Sequence, residues 1–333
     1  MKKTITTLVL TLTTLGSQAQ TPIENLLIYT SQKEEFVKPI FDTFTKETGI
    51  KIEFISDKGP VLIERLKSEG SKTKADLLLT VDAGNLWFAE TQGLLQPIKS
   101  ATLEKNIPAQ FRDPKNHWFG FTQRARTIIY NSNKVKPEEL STYEALAEKK
   151  WSKRLCLRTS KNVYNQSLLA VMLTQQTEAQ VSATVQGWVS NLAAEPFADD
   201  TKMIEAIIAG QCDVGIANHY YLARIIKAKG PQPAGVFWAN QKTTGVHVNI
   251  FGAGIIKASS KTQSAVQFLE WLSSDRGQTV LAENNLEFPL RAKIPVSKII
   301  EPWGSFKGDG TALIKAGELQ SKAVQLMDKV GYR

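Results

Sequence analysis

Two adjacent tyrosines, Tyr220 and Tyr221, stand where the apolar stretch "CDVGIAN" gives way to the helix-like stretch "YYLARIIKAK". A third tyrosine, Tyr164, follows the strand-like "KRLCLR", after Ser160 or Asn162 as a candidate helix N-cap. Ligands of α/β sheets bind beyond the carboxyl ends of the strands, and a strand-to-helix junction can aim two adjacent side chains at one point. We therefore predict that the three phenols meet in a binding site. The alternative for the pair is one packed and one exposed tyrosine.

Three phenols in one place would suit a hard trivalent cation. A phenol has a pKa near 10, so a strong local charge is needed to remove its proton. Ferric iron is the obvious biological candidate, whereas calcium and magnesium call for carboxylates and carbonyls, and zinc calls for cysteine or histidine. Neutral phenols could instead donate hydrogen bonds to an oxyanion or a small organic solute, and that alternative stays open.

Histidines and arginines are the other polar candidates. His117, His219 and His247 lie far apart, without the short spacings of a zinc motif, and we interpret His219 as a neighbour of the site rather than a ligand. Arg124 and Arg126 share one face of an extended run, so one of them could hold an anion that completes the coordination of an iron ion. A surface pair that solvates this strand is the alternative.

Sequence motifs of catalysis are missing from the chain. It has no G-x-S-x-G elbow, no P-loop and no H-E-x-x-H, and "GAGIIK" lacks the last glycine of a dinucleotide-binding fingerprint. We therefore expect a binding protein rather than an enzyme. The alternative from another class is an exported iron-dependent enzyme, which would need open coordination positions and a substrate pocket.

The elements that must position these residues alternate between strand and helix. Residues 26–29 predict a short strand, and "EEFVKPIFDTFTKETG" predicts a helix with Phe36, Ile40 and Phe44 at helical spacing and Gly49 as its stop. Near the other end, "KTQSAVQFLEWLSSDRGQTVLAEN" predicts one long helix. Such alternation indicates an α/β fold with mixed, mostly parallel sheets covered by helices.

The length of the chain favours two lobes, each with its own core. Two extended runs, "FGFTQRARTIIYN" and "GVHVNIFGAGIIK", are predicted to cross from one lobe to the other. We assign residues 22–122 and 249–300 to a first lobe and residues 123–248 and 301–333 to a second lobe. The ligand cleft is expected between them.

Residues 1–19 have the pattern of a secretory signal peptide. Lys2 and Lys3 precede an apolar, Thr-rich stretch, and "SQA" forms a cleavage site that ends at Ala19, while Gln20 stands where a lipid-anchored protein would have a cysteine. Loss of the two lysines would lower the formal net charge from +9 to +7. Because the basic residues are scattered among nearly as many acidic ones, no nucleic-acid partner is expected.

Two cysteines, Cys156 and Cys212, would meet an oxidising compartment in an exported chain, and such a compartment favours pairing over free thiols. A disulfide between them would close a loop of about 57 residues and contribute about 4 kcal/mol in the chain-entropy model. Two separately buried thiols are the alternative.

Five stretches of the chain match a known family. They are "SKNVYNQSLLA", "GQCDVGIANHYYLARI", "ADLLLTVDAGNLW", "FTQRARTIIYN" and "GVHVNIFGAGI". Together they resemble the ferric-iron-binding periplasmic proteins of ABC transporters, the ferric-binding or FutA-like family. The resemblance runs from about residue 25 to the end of the sequence.

The resemblance implies the two-lobed, type II periplasmic solute-binding fold and a monomeric carrier that delivers iron to an ABC permease in the inner membrane. In this family, Fe(III) is held in the cleft by tyrosines that match Tyr164, Tyr220 and Tyr221, often with a synergistic anion such as carbonate. The family's crossing-strand arginine matches Arg124, and its asparagine before the tyrosine pair matches Asn218.

The chain departs from the family at the first-lobe ligand. After the first strand, relatives often carry a histidine, or a histidine followed by a tyrosine, where this sequence has Lys33 and Glu34. Some relatives have a ligand glutamate where this sequence has Val81. The first lobe is therefore expected to supply either Glu34 alone or no ligand, with an anion and water to complete the coordination.

Overall fold

The computed structural model describes residues 25–333, and the predicted signal peptide lies outside them. Within residues 25–333, no helix has both the length and the apolar character that a membrane span requires. Strands and helices alternate through most of this part of the chain. The strands are β1 (Asn25–Thr30), β2 (Lys51–Ser56), β3 (Leu77–Thr80), β4 (Leu95–Gln96), β5 (Phe119–Asn131), β6 (Leu155–Cys156), β7 (Val214–Asn218), β8 (Ala234–Phe237), β9 (His247–Ile256) and β10 (Phe288–Pro289).

The α-helices pack against this sheet through shared apolar clusters. They are α1 (Glu34–Thr48), α2 (Gly59–Glu69), α3 (Ala83–Thr91), α4 (Ala101–Asn106), α5 (Val163–Gln175), α6 (Glu178–Ser190), α7 (Asp200–Ile208), α8 (His219–Lys229), α9 (Thr262–Ser273), α10 (Asp275–Asn285) and α11 (Leu313–Lys329).

Two long strands, β5 and β9, hold the mixed sheet together. They pair antiparallel with each other between Phe119 and Arg126, and β5 continues to pair antiparallel with β7 and β8. β9 continues in the same way onto β3 and β4. Parallel pairing is found away from the crossing strands, between β1 and β2, β1 and β3, and β6 and β7. The predicted α/β fold with a mixed sheet is confirmed, but antiparallel pairings outnumber parallel ones among the described strands, so the expectation of mostly parallel pairing is corrected. The long pairing of the two extended runs with each other supports their proposed crossing role.

Buried apolar residues form separate clusters on the two sides of the crossing strands. One side draws its core from β1, β3, α1, α9 and α10. The other side draws its core from β7, α5, α6 and α11. This arrangement supports two lobes, and the residue ranges that we assigned to them remain a proposal.

The helix predictions are confirmed at one end of the chain and corrected at the other. α1 ends at Gly49, whose φ of +79° is left-handed, as expected for a glycine that stops a helix. The long helix predicted from residue 261 onward is wrong, because it consists of α9 and α10 with a break at Ser274. Ser274 has extended backbone angles and accepts a hydrogen bond from the Gly277 N–H, so it caps a new helix instead of continuing the old one.

The strands β6 and β7 prepare the site. They are parallel neighbours, with Leu155 opposite Val214 and Cys156 opposite Gly215, so their carboxyl ends point to the same edge of the sheet. α8 begins directly after β7, and α5 follows β6 after a short loop. The first turns of α5 and α8 are thereby brought together at this edge.

A disulfide joins Cys156 and Cys212, with their Cα atoms 5.9 Å apart, as the oxidising compartment predicts. Cys156 is the last residue of β6, and Cys212 lies two positions before the first residue of β7. The bond therefore ties together the two strands whose carboxyl ends carry the candidate ligands.

We expect the native protein to contain no titratable thiol until it is reduced. Reduction should lower its melting temperature by roughly 5–10 °C, because opening this loop restores chain entropy to the unfolded state. Thiol titration in native and denaturing buffer and thermal unfolding with and without reductant measure both effects. The double variant Cys156→Ala/Cys212→Ala is the control, since its melting temperature should not respond to reductant. Two reactive thiols in the oxidised native protein would contradict the prediction.

Candidate metal centre

Tyr164 lies in the first turn of α5. The Asn162 side chain caps this helix by accepting a hydrogen bond from the Tyr164 N–H at 2.9 Å, so Asn162, and not Ser160, is the cap. The Tyr164 side chain is buried, with 8% of its surface exposed, and it packs with the apolar cluster built from α1, β1 and β3. A residue of α5 thus reaches the side of the molecule that we assign to the first lobe.

Tyr220 and Tyr221 lie in the first turn of α8, immediately after β7. The Tyr220 hydroxyl lies 3.3 Å from the Tyr164 hydroxyl, and the Tyr220 and Tyr221 rings are 4.5 Å apart, centroid to centroid. Tyr220 is buried and Tyr221 is half-buried. The expected strand-to-helix junction therefore brings three phenols together, and the alternative of one packed and one solvent-exposed ring does not describe the pair.

Burial keeps these phenols protonated when no cation is present. Desolvation raises the pKa of Tyr164 well above its ordinary value, and the neighbouring Tyr220 hydroxyl adds to the increase. Burial is also the main cause that raises the pKa of Tyr220 and of Tyr221. Only a strong positive charge placed among them would make all three release their protons.

A chain of hydrogen-bonded side chains connects the two turns that carry the phenols. Asn218 donates from its amide nitrogen to the Tyr220 hydroxyl at 3.2 Å, and its amide oxygen accepts from Arg126 at 3.4 Å. Arg126 also donates twice to Asn165, the residue after Tyr164, at 2.6 Å and 3.0 Å. The two ligand-bearing turns are thus connected through one guanidinium.

Every guanidinium nitrogen of Arg126 donates a hydrogen bond to another residue of the protein. Besides Asn165 and Asn218, it binds the buried Asp200 carboxylate at 3.2 Å and the Ile216 carbonyl at 3.0 Å. It is 1% exposed, which excludes the alternative of a surface pair. These contacts favour a positioning role for Arg126 over direct binding of an anion.

Arg124 is equally buried but less completely bonded. It donates to the Ile250 carbonyl at 2.9 Å, and its Nη1 lies 3.5 Å from the buried Glu287 carboxylate, which the Thr122 hydroxyl also approaches. Its guanidinium carbon lies 5.3 Å from the centre of the Tyr164 ring. Arg124 is thus the predicted anion-binding arginine that lies against a candidate ligand.

Two further arginines at the site were missed by sequence reasoning. Arg158 follows β6, lies 5.5 Å from the Tyr164 ring centre and shares the Asp200 carboxylate with Arg126. Arg224 lies one turn after Tyr221 on α8, with its guanidinium carbon 4.8 Å from the Tyr220 ring centre. The sequence could have indicated Arg158 by its position at the end of a predicted strand. It could have indicated Arg224 by its helical spacing from the tyrosine pair.

His219 is a buried neighbour of the site, as its sequence context predicts. Burial lowers the pKa of its imidazole to about 4, so the ring is neutral near pH 7. Its Nε2 lies 3.1 Å from the Leu286 carbonyl, and its ring packs against Phe288. Among the described residues, no group of three or more His, Cys, Asp and Glu side chains is placed to hold a metal ion.

The first-lobe candidate, Glu34, lies away from the phenols' hydrogen-bond network. It is the first residue of α1 and is exposed, and it lines a surface groove with Lys33 and Glu35. Val81, at the position of the glutamate ligand in some relatives, is buried in the apolar core. The structure therefore gathers the three tyrosines, both predicted arginines and Asn218, and it leaves Glu34 outside this cluster.

Comparison with known proteins gives concordant matches. Residues 29–279 match the family model described as bacterial extracellular solute-binding protein. The chain is 43% identical to iron uptake protein A1 of Synechocystis sp. over 95% of its own length and 90% of that protein. Among solved structures, it is 43% identical to Trichodesmium IdiA (FutA) in complex with iron and citrate ligands, with a TM-score of 0.86 over 93% of this chain and 100% of the other. The ferric binding protein from Campylobacter jejuni is 33% identical, with a TM-score of 0.88 over 92% and 100% of the two chains.

Proposed function

Because this chain belongs to the bacterial extracellular solute-binding protein family, we propose that it is a periplasmic carrier that captures ferric iron for an ABC importer. The observation that carries the proposal is that the buried Tyr164 and Tyr220 and the half-buried Tyr221 meet at the ends of two neighbouring strands. The relatives named for iron uptake and ferric iron binding support the same cargo. The protein is a carrier and not an enzyme.

In this proposal, the three tyrosines bind Fe(III) as phenolates. Asn218 keeps its hydrogen bond to the Tyr220 oxygen, and Arg126 fixes Asn218 relative to the turn that carries Tyr164. Charge-assisted hydrogen bonds of this kind stabilise a phenolate more than a neutral phenol. The hydrogen bonds from Arg126 through Asn218 to Tyr220 therefore favour the state in which the metal is bound.

A small anion such as carbonate would complete the coordination beside Arg124. The Nε and Nη1 of Arg124 make no hydrogen bond, although Nη1 lies 3.5 Å from the Glu287 carboxylate, and the guanidinium lies against Tyr164. Glu34, exposed at the start of α1, could add a carboxylate to the coordination from the first lobe. Carbonate depletion tests the role of the anion, and the variant Glu34→Gln tests the role of Glu34. Iron affinity is measured in both experiments.

The carrier would act as a monomer in the periplasm, after cleavage of residues 1–19, and would deliver iron to a permease in the inner membrane. N-terminal sequencing of the protein from the periplasmic fraction tests the location and the cleavage site. Size-exclusion chromatography tests the monomeric state.

A carrier for an oxyanion is the second candidate, and the surplus of guanidinium groups favours it. Arg126 and Arg158 share one carboxylate, and Arg224 has no carboxylate within 4.0 Å among the described residues. In such a carrier the phenols would stay protonated and donate hydrogen bonds. The two candidates therefore differ in whether the phenols lose their protons.

Visible absorption separates the two candidates. Ferric iron supplied as its nitrilotriacetate complex should give the protein a visible colour, because phenolate-to-iron charge transfer absorbs visible light. The intensity should saturate at one iron per chain. A protein that stays colourless with ferric iron, yet is stabilised against heat by phosphate or sulfate, would reject iron as the cargo and support the oxyanion.

A further inference from the structure

Phe36 has an environment that its position in the sequence does not predict. Its spacing from Ile40 and Phe44 suggests the core face of α1, yet Phe36 is half-buried, and the fully buried residues of this helix are Val37, Ile40, Phe41 and Phe44. The Phe36 ring instead lies against Arg224, whose guanidinium carbon is 3.2 Å from the ring centre. A residue of α1, in the assigned first lobe, therefore contacts a residue of α8, in the assigned second lobe.

Arg224 lies between two aromatic rings. One is Phe36, and the other is the candidate ligand Tyr220, at 4.8 Å from the guanidinium carbon to the ring centre. Both distances are within the range in which a cation is attracted to the face of a ring. The Lys33 ammonium, 6.0 Å from the Phe36 ring centre, is at the limit of that range.

Hydrogen bonds contribute little to the position of Arg224. Its Nη2 reaches the Asn285 carbonyl at 3.4 Å, while Nε and Nη1 are buried without a protein acceptor. Among residues 25–333, no carboxylate lies within ion-pair distance of it. The two ring contacts are therefore its main attractive contacts with the protein.

We propose that Phe36 is the residue by which the first lobe closes over the iron site, and that its stacking on Arg224 sets how long the cargo is retained. This inference rests on the proposed function. It gives the first lobe a role that needs no ligand at the position of Lys33 and Glu34, because the lobe covers the metal and slows the entry of water and competing chelators. Phe36 and Arg224 are positioning residues and do not touch the metal.

The test compares iron release from the loaded parent with release from Phe36→Leu, Phe36→Tyr, Arg224→Lys and the double variant Phe36→Leu/Arg224→Lys. Release into an excess of a strong chelator is followed by loss of the phenolate-to-iron absorption. Phe36→Leu removes the ring and Arg224→Lys removes the planar guanidinium that stacks on it, so each should release iron about tenfold faster, the effect of a desolvated contact of this kind. Phe36→Tyr keeps a ring and should release iron at the parent rate.

The double variant tests whether the two residues act together. If they act through one contact, the double variant should release iron no faster than the faster single variant, because the contact can be lost only once. The absorption maximum of the loaded protein should stay unchanged, since all three tyrosines remain. Phe54→Leu is the matched control, as Phe54 is a half-buried ring on the same side of the molecule that packs on Phe41.

Different outcomes would contradict the role of Phe36 in closure and the proposed iron-binding function. Parent-like release from Phe36→Leu, or a double variant whose acceleration is the product of the two single effects, would overturn the inference while the iron carrier stands. A parent protein that gives no charge-transfer band would overturn both. If Phe36→Leu fails to fold, Arg224→Lys decides, because this variant keeps the positive charge at a half-buried position near the middle of α8.

Discussion

Replacing Tyr220 by phenylalanine is expected to reduce ferric-iron affinity at least about 100-fold while the protein stays folded. The ring would stay in the apolar cluster that includes Ala223 and Phe288, and only the hydroxyl that we propose as a metal ligand would be lost. Loss of a residue that merely supports a ligand costs about 10- to 100-fold in metal affinity, so loss of a ligand should cost at least as much. The same result is expected for Tyr164→Phe and Tyr221→Phe. Affinity is measured by competition with a chelator of known strength.

Tyr29→Phe is the matched control for these variants. Tyr29 is buried, and its hydroxyl is hydrogen-bonded to Glu69 at 2.9 Å, away from the candidate metal centre. It should lose roughly 1 kcal/mol of stability, as a deleted hydrogen bond does, and no iron affinity. Thermal unfolding establishes that each variant is folded before its affinity is interpreted. If all three site variants bound iron like the parent, the tyrosines would not be the ligands.

Iron affinity should rise about 1000-fold for each pH unit between about pH 6 and 8.5. Burial raises the pKa of Tyr164, Tyr220 and Tyr221 above the ordinary phenol value, so each is protonated in the empty site throughout this range. Binding Fe(III) must then expel three protons, and each contributes one unit to the slope of log affinity against pH. The sign follows directly: falling pH supplies the protons that compete with the metal, so affinity falls.

The slope is measured against a competing chelator, corrected for the chelator's protonation and for ferric hydrolysis, at a fixed concentration of the free anion. The Tyr220→Phe variant provides an internal check, because with one phenol fewer its slope should fall from about three to about two. A histidine ligand would cease to contribute above its ordinary pKa, near 6.5, and a carboxylate would contribute almost nothing near neutrality. A slope near zero above pH 7 would exclude the phenols as ligands.

The positions of the tyrosines could be predicted from the sequence because local rules govern them. An apolar strand followed by a polar cap and a helix places Tyr164 after β6 and Tyr220 after β7, and the parallel pairing of these strands brings their ends together. The disulfide follows from the export signal and the count of two cysteines. These features depend only on residues that are neighbours in the sequence or on the cellular compartment. A single sequence shows the neighbouring residues directly and indicates the compartment through its signal peptide.

The partners of the arginines could not be predicted, because they come from distant parts of the chain. Arg126 meets the carboxylate of Asp200, 74 residues away, and Arg124 meets Glu287 on the return from α10. Spacing indicates only that Arg124 and Arg126 share a strand face. Which of them is saturated by the protein depends on tertiary packing.

Local competition explains the failed prediction of one helix across Ser274. The helical periodicity of residues 262–285 is continuous, but the Ser274 side chain offers the next turn a cap, and Gly277 allows close approach to the Trp271 carbonyl, where any Cβ would clash. Serine competes with helix propagation in this way more effectively than hydrophobic pattern alone indicates.

The three candidate tyrosine ligands belong to α5 and α8, both in the half of the molecule assigned to the second lobe. Separating the lobes would therefore uncover the iron without dividing its ligands, and the ion would remain attached to one half. Docking on a permease that only pulls the halves apart could not empty the carrier. Unloading must include a second event that weakens the iron–oxygen bonds themselves, and the order would be fixed, with exposure first and bond breaking afterwards. Capture would follow the opposite order: the second lobe would bind the iron first, and the first lobe would close over it afterwards.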